Sequence, residues 1–217
     1  MKKKKIKNPL IRRIPKELIG DWKKYLVVFL FLVLTIGFVS GMYVANESMI
    51  TSANEGVTKY KQEDGHFELK KQADATLLSA IETGEKADFK ATKTTLYENF
   101  FRNEEEDYNN DGKKDGTIRV FAKTKDINLA CMLQGSFPQK ADEIAIDRMH
   151  ADNVGIKVGD TVTVSGETYK VVGLLAYVNY STLHEKTTDL MFDALKFDVA
   201  MVTQDGFDRL HKSIHYT

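Results

Sequence analysis

The sequence predicts one N-terminal transmembrane helix followed by a mixed α+β extracytoplasmic domain that contains a β-hairpin near residues 161–172. Three observations support this fold class. An apolar run without charges lies near the N-terminus of the 217-residue chain. The basic and acidic residues are sorted to opposite sides of that run. The remainder mixes short strand and helix patterns without regular βαβ units, which favours α+β over α/β.

The charge distribution along the chain is strongly uneven. The 31 basic and 31 acidic residues cancel, and the mean hydropathy of −0.34 is that of an ordinary soluble protein. Residues 1–24, however, hold ten basic and two acidic residues, a net charge of +8, so the remainder carries −8. With 14 Gly and 3 Pro, the composition excludes collagen-like and wholly disordered chains. The single cysteine excludes an intramolecular disulfide and a multi-cysteine metal site.

The boundary between the two charge regions is the predicted transmembrane helix, residues 25–45. Residues 26–45 form an apolar run of 20 residues without a charge or a proline. A helix of that length covers about 30 Å, the thickness of the hydrocarbon layer. The predicted membrane-interface residues are Trp22, Lys23, Lys24 and Tyr25 on the inner side and Tyr43 on the outer side. The positive-inside rule places the N-terminus in the cytoplasm and residues 46–217 outside the cell membrane.

A cleaved signal peptide is the alternative interpretation of the apolar run. Signal peptides have apolar cores of roughly 7–15 residues, closely followed by small residues at the cleavage site. Here the core is longer, and the small residue Ala45 comes soon after the bulky Tyr43. These features favour a retained membrane anchor.

The cytoplasmic segment, residues 1–24, is predicted to contain a short amphipathic helix that starts at Pro15. Apolar residues recur at helical spacing from residue 14 to residue 25, and basic residues flank them. Such a helix lies in the inner interface against anionic lipid, so membrane lipid is an expected partner. The lysine run 2–5 is also compatible with nucleic acid, but next to a span the lipid partner is favoured and no nucleic-acid partner is expected.

Beyond the span, a helical pattern over residues 46–62 predicts a stalk, and residues 63–217 form the predicted domain. In chain order the domain is expected to contain a strand at 66–70, a helix at 73–83, strands at 96–101, 117–122 and 143–146, and a helical turn at 147–153. The hairpin has strands 161–164 and 168–172 with Ser165-Gly166-Glu167 between them. A last strand covers 199–202.

An acidic segment at residues 104–116 is the most specific candidate for a metal site. Oxygen-bearing side chains stand at positions 1, 3, 5 and 9 of a calcium-loop pattern: Asp107, Asn109, Asp111 and Asp115. Gly112 occupies the turn position, but position 12 is Ile118 instead of a bidentate Glu. A bound calcium ion and a solvated acidic turn between two strands therefore both remain open, and the turn is favoured.

No pattern in the sequence indicates catalysis. The chain lacks a Gly-x-Ser-x-Gly elbow, a phosphate-binding loop and a Gly-x-Gly-x-x-Gly sequence. We therefore expect no enzymatic activity, no catalytic or cofactor-binding residues and no cofactor. His211 and His215 are four residues apart but have no third ligand, which favours a surface or packing role. Cys131 lies in LACML and is expected to be a buried apolar residue, not a nucleophile.

Three segments carry a resemblance to a known family. The first is IPKELIGDWKKYL, immediately before the span, the second is GSFPQKADEIAIDRMHADNVGIKVGDTVTVSGETYKVVGL, and the third is DLMFDALKFDVAMVT. The residues that carry it are Gly135, Pro138, Glu143-Ile144-Ala145-Ile146, Gly155, Val158-Gly159-Asp160, Gly166 and Val172-Gly173. With the span, they make the chain similar to the N-terminal part of FtsX-like permeases with a MacB-type extracytoplasmic domain, the membrane subunits of certain ABC transporters.

The resemblance implies a permease subunit that couples a separate cytoplasmic ABC ATPase to an extracytoplasmic domain, for export or envelope remodelling. Residues 16–24 would lie near that ATPase, and a second permease subunit is a further candidate partner. Such permeases carry at least three more spans, so the resemblance implies a fragment with an incomplete domain. The alternative is a single-pass membrane-anchored extracytoplasmic sensor or binding module, which would need no ATPase.

Overall fold

The computed structural model describes residues 10–83, 95–180, 182–186 and 188–217. The chain divides into two compact units, the first ending at Glu55 and the second beginning at Gly56. Residues 1–9 of the predicted basic segment lie outside the described residues.

The first unit is helical. Helix α1 comprises Leu10–Gly20 and helix α2 comprises Trp22–Lys59, with Asp21 alone between them. The predicted start of the first helix at Pro15 is wrong, because α1 begins five residues earlier and contains Pro15. Pro15 is the sixth residue of α1, beyond the N-terminal amides that have no intrahelical partner, so it removes one backbone hydrogen bond from the helix.

Helix α2 is the longest element of the chain. Its 38 residues correspond to a length of about 57 Å at 1.5 Å per residue. By length and composition it is able to cross a membrane, and none of its residues is buried. It contains the predicted span and nearly all of the predicted stalk, and Gly56 does not interrupt it.

The second unit is a mixed α+β sheet domain, as the sequence predicts. Its helices are α3 (Ala75–Thr83), α4 (Arg148–Val154) and α5 (Gln204–Asp208), with a 3-10 turn at Val178–Tyr180. Its strands are β1 (Phe100–Asp107), β2 (Gly116–Ala122), β3 (Cys131–Gly135), β4 (Glu143–Asp147), β5 (Thr161–Val164), β6 (Glu167–Ala176), β7 (Phe197–Val202) and β8 (His215–Tyr216).

Six of these strands pair in a closed cycle. The order around the cycle is β1, β2, β7, β4, β6 and β5, and β5 pairs with β1 again. The β2–β7 and β4–β6 pairs are parallel, and the other four are antiparallel. Strand β3 pairs with the second half of β6, and β8 pairs with the start of β1. The cycle therefore has an enclosed face and an outer face.

Two hydrophobic clusters cover these two faces. The enclosed cluster takes alternate residues from the strands of the cycle, for example Ile118 and Val120 of β2 and Ala200 and Val202 of β7. The outer cluster takes the residues between them, such as Phe121, and adds side chains from the segment between β6 and β7. Because successive strand residues point to opposite faces, this division follows from the strand pattern itself.

The structure confirms some predicted elements and corrects others. The hairpin is present as β5 and β6, with positive φ angles at Ser165 and Gly166 in the two-residue turn. The predicted strand at 66–70 is absent apart from a single bridge between Leu69 and Tyr216. The predicted strand at 96–101 begins later and continues through the acidic residues to Asp107. Acidic residues were expected to leave the strand, but Glu104 and Glu106 are buried within it.

Candidate functional site

Three ionisable side chains meet on the enclosed face of the sheet domain. They are Glu106 of β1, His150 of α4 and Asp198 of β7, and one side-chain ligand atom from each lies within 4.8 Å of the others. All three residues are 0% exposed. We refer to them as the buried cluster.

The strand register brings the two carboxylates of the buried cluster to the same face. Ile118, which belongs to the enclosed hydrophobic cluster, pairs with Asp198 on β7 and with Glu104 on β1. Glu106 lies two residues beyond Glu104, so its side chain points to that same face. Strands β1 and β7 lie on either side of β2, and each places one carboxylate on the enclosed face.

Helix α4 supplies the histidine. It starts directly after β4, where the side chain of Asp147 accepts a hydrogen bond from the backbone N–H of Met149 at 2.7 Å and caps the helix. Gly155 ends the helix in the left-handed conformation, with a φ of 84°. This short capped helix places His150 in its first turn, above the ends of β1 and β7.

A close backbone approach at Gly116 lies beside the buried cluster. Gly116 pairs with Glu106, and the next residue, Thr117, donates its N–H to the carbonyl of Lys196 at 2.8 Å. A Cβ atom at residue 116 would lie 2.6 Å from that same carbonyl oxygen. Only glycine therefore allows the chain before β7 to approach β2 here.

Hydrogen bonds orient two of the three cluster residues. The Nδ1–H group of His150 donates to the carbonyl of Ala194 at 2.8 Å, which leaves Nε2 directed at the carboxylates. One oxygen of Asp198 accepts from the backbone N–H groups of Asp147 at 3.2 Å and Val199 at 2.7 Å. These contacts fix the imidazole and one carboxylate in place.

Four polar atoms of the cluster have no hydrogen-bond partner among the described residues. They are both carboxylate oxygens of Glu106, Nε2 of His150 and the second oxygen of Asp198. Nε2 lies 3.5 Å from a carboxylate oxygen of Glu106, a distance that suits an ion pair but is long for a hydrogen bond. Buried polar atoms are normally paired, so an unpaired group of four requires an explanation.

Burial and mutual charge shift the pKa values of the buried cluster. Burial lowers the pKa of His150, but the carboxylates of Asp198 and Glu106 outweigh it and raise that pKa to about 9. Burial raises the pKa of Asp198 well above its usual range, although the charge of His150 opposes this. Burial also raises the pKa of the neighbouring Asp147. His150 and Asp198 therefore hold protons more tightly than the same groups do in water.

The predicted calcium residues lie together in the turn between β1 and β2, which we call the acidic turn. Their oxygens accept hydrogen bonds within the turn. Asp107 accepts from the backbone N–H groups of Asp111 at 3.0 Å and Gly112 at 2.8 Å. Asn109 also accepts from Asp111, at 2.9 Å, and Asp115 accepts from the N–H of Tyr108 at 3.2 Å. Asp111 accepts from Lys113.

These hydrogen bonds hold the acidic turn in a defined conformation. Position 12 of the calcium pattern, Ile118, is fully buried in β2 and has no oxygen to offer. The turn joins two antiparallel strands, as expected for the other interpretation of this segment, an acidic turn between two strands. Calcium binding by Asp107, Asn109, Asp111 and Asp115 stays a prediction.

The predicted membrane-interface residues all lie on α2. Trp22, Lys23, Lys24 and Tyr25 form its first turn, and Tyr43 follows 21 residues after Trp22, about 31 Å along the axis. All five are exposed, as contact with lipid headgroups requires. The ammonium group of Lys24 lies 3.2 Å from the carboxylate of Asp21.

The two residues that follow α2 are hydrogen-bonded to the sheet domain within the second unit. The carbonyls of Tyr60 and Lys61 accept hydrogen bonds from the N–H groups of Leu129 at 2.8 Å and Asn128 at 3.0 Å. The Tyr60 hydroxyl donates to the sulfur of Cys131 at 2.8 Å, and this bond raises the pKa of Tyr60. Cys131 is half-buried, so the prediction of a fully buried cysteine is wrong.

The buried cluster was not predicted from the sequence. Its strongest signal is Asp198, the only charged residue in a strand whose six residues are all buried. Glu106 lies within a run of acidic residues, and His150 is an isolated histidine in the sequence. The histidines that were considered together do not share a helix, because His211 lies outside the helices and His215 lies in β8.

The fold and the site thus define a chain with an apolar helix of membrane-spanning length and an α+β sheet domain that contains a buried carboxylate–histidine cluster. A comparison with known protein families found no match, and a comparison with curated proteins found none either.

Proposed function

We propose that this chain is the N-terminal part of a permease subunit of the ABC-transporter type, with α2 as its first span. The observation that carries the proposal is the continuity of α2. One uninterrupted helix contains the 20-residue apolar run and continues for 14 residues to Lys59. The resemblance of the sequence to FtsX-like permeases supports the same function.

The orientation follows from charge. The basic residues before the span lie in the cytoplasm, and residues 46–217 lie outside the cell membrane. Trp22, Tyr25 and Tyr43 lie at the two interfaces, where aromatic side chains with a polar group are favoured. The −8 charge of the remainder of the chain belongs almost entirely to the external part.

Helix α2 is the coupling element in this proposal. A continuous ladder of backbone hydrogen bonds makes a helix stiff along its axis. The two residues after its end, Tyr60 and Lys61, accept hydrogen bonds from the N–H groups of Leu129 and Asn128, which lead into β3. A displacement of α2 driven from the cytoplasm would therefore reach the loop before β3 through at least two backbone hydrogen bonds.

A separate cytoplasmic ATPase supplies the energy, since the chain has no phosphate-binding loop of its own. The basic side of α1 and the start of α2 are the expected contact with that ATPase. Arg13, Lys16, Lys23 and Lys24 are all exposed there. The substrate is exported or the cell envelope is remodelled on the outer side.

Affinity purification of the tagged full chain from its own host, in a mild detergent, tests the partner. Mass spectrometry should identify an ABC ATPase in the eluate. The Arg13→Glu and Lys16→Glu double variant should lower its yield several-fold, because the contact depends on charge. The matched control reverses two exposed basic residues of the acidic turn, Lys113→Glu and Lys114→Glu, and should leave the yield unchanged. A wild-type chain that recovers no ATPase would favour the membrane-anchored sensor or binding module.

Cysteine labelling in intact cells tests the orientation. In a Cys131→Ala background, the Lys113→Cys variant should react with a membrane-impermeant maleimide. The Lys16→Cys variant should react only after the membrane is permeabilised. Both positions are exposed, so accessibility to solvent does not differ between them. The reverse labelling pattern would refute the proposed topology.

A further inference from the structure

We propose that Glu106, His150 and Asp198 bind one divalent transition-metal ion inside the sheet domain. This inference does not depend on the permease function. It rests on the convergence of three ligand types, on their unpaired atoms and on the hydrogen bonds that orient them.

The distances suit a common metal ligand set. Zinc binds imidazole nitrogen and carboxylate oxygen at about 2.0–2.2 Å, so tetrahedral ligand atoms lie about 3.3 Å apart. Nε2 of His150 and the oxygen of Glu106 are 3.5 Å apart, and one ligand atom of each residue lies within 4.8 Å of the other two. One of the three separations is therefore already close to that of a zinc site, and the other two exceed it by at most about 1.5 Å.

The surroundings of His150 are those of a metal ligand. A metal-binding histidine usually donates its second ring N–H to a carbonyl or carboxylate, which fixes the tautomer and the ring orientation. The Nδ1–H of His150 does this with the carbonyl of Ala194. Asp198 is held in the same way, since one oxygen accepts two backbone N–H groups and the other is free in the described part of the chain.

The charge balance also favours a cation. Two carboxylates and a neutral imidazole carry a charge of −2 in a site without solvent exposure. Four acceptor atoms are then left without a hydrogen-bond donor in the described part of the chain. A divalent ion cancels the charge and supplies a partner for at least three of these atoms, which removes the penalty for burying them. Protons on His150 and Asp198 are the competing solution.

The ligand types indicate the class of metal. Imidazole favours zinc, iron and similar transition metals over calcium or magnesium, and the carboxylates extend the range to manganese. Three protein ligands leave one tetrahedral position for a water molecule. The ion would connect β1, β7 and α4, and because the site is closed to solvent it would be incorporated as the domain folds.

Metal analysis of the full chain tests this inference directly. The chain is produced in medium supplemented with zinc and manganese, purified in a mild detergent and washed with EDTA while folded. Mass spectrometry of the metals should find about one ion per chain, and EDTA should remove it only after denaturation. The Asp198→Asn variant keeps the side-chain volume but lowers the ligand charge, so its metal content should fall at least five-fold. The Asp111→Asn control in the acidic turn should keep the full content.

A second measurement keeps the inference testable if the Asp198→Asn variant does not fold. The wild-type chain is unfolded in EDTA and refolded with either Zn²⁺ or EDTA. Zn²⁺ should raise the midpoint of thermal unfolding, and refolding with Co²⁺ should produce the visible absorption bands of a protein-bound ion. Equal midpoints with Zn²⁺ and with EDTA, together with a metal-free purified chain, would overturn the proposal and assign the cluster to protons alone.

Discussion

The sheet domain has two groups of acidic residues, the buried cluster and the acidic turn, which differ in their hydrogen bonding. They meet at adjacent residues of the sequence. Glu106 belongs to the buried cluster, and Asp107 begins the acidic turn. The carboxylate of Asp107 accepts two backbone hydrogen bonds, whereas that of Glu106 accepts none among the described residues. The acidic turn holds more acidic residues, but the carboxylate oxygens without partners among the described residues belong to the buried cluster.

The alternation of a β-strand explains why neighbours differ so much. Successive side chains of β1 point to opposite faces, so Glu106 enters the enclosed face and Asp107 does not. From Asp107 onward the chain turns back toward β2, and its backbone amides become available to nearby carboxylates. The acidic turn therefore satisfies its own acceptors, whereas four atoms of the buried cluster have no partner among the described residues.

The largest effect is expected from His150→Leu. This substitution leaves two buried carboxylates without their cationic or metal-binding partner, and such a loss costs about 3–5 kcal/mol of the free energy of unfolding. Thermal unfolding of the full chain in detergent, followed by circular dichroism, measures it. His211→Leu is the control, because His211 is exposed and should change the midpoint little. Equal midpoints for the two variants would mean that His150 does not stabilise the buried carboxylates.

A smaller effect is expected in the acidic turn. Asp107→Ala removes the acceptor of two backbone N–H groups and should cost about 1–2 kcal/mol. Asp111→Ala, in the same turn, removes an exposed acceptor and should cost less than about 0.5 kcal/mol. The same unfolding measurement compares them. A larger loss for Asp111→Ala would mean that Asp107 does not organise the turn.

The smallest effect is expected from calcium. The carboxylates of the acidic turn are already engaged, and the twelfth ligand of the pattern is replaced by a buried isoleucine. Isothermal titration of the full chain with calcium, with EDTA-treated controls, should therefore give no heat above dilution. A saturable heat that disappears in the Asp107→Ala variant would instead support the calcium loop.

The general architecture could be predicted from local patterns. The long apolar helix, the hairpin β5–β6 and the strands β2 and β4 each have a signal that depends on neighbouring residues alone. The start of α1 and the extent of β1 could not be predicted in this way. Helix α1 continues through Pro15, and the sheet buries Glu104 and Glu106, against the local preferences of these residues.

The buried cluster depends on topology, which local patterns do not contain. Its members are 44 and 48 residues apart in the chain. They meet because β2 pairs with β1 on one side and with β7 on the other, and because α4 follows β4 directly. Strand order is set by the whole closed cycle, so no single segment of the sequence predicts this contact.

The pairing of β8 links segments that are far apart in the chain. The backbone of Tyr216 bonds to Leu69 at 2.9 Å, and Thr217 and Asn99 exchange two hydrogen bonds at 2.8 and 2.9 Å. Strand β8 and the residue after it thus hold the segment that follows α2 beside the start of β1. Because these bonds are made by the backbone, the contact does not depend on the identity of the side chains.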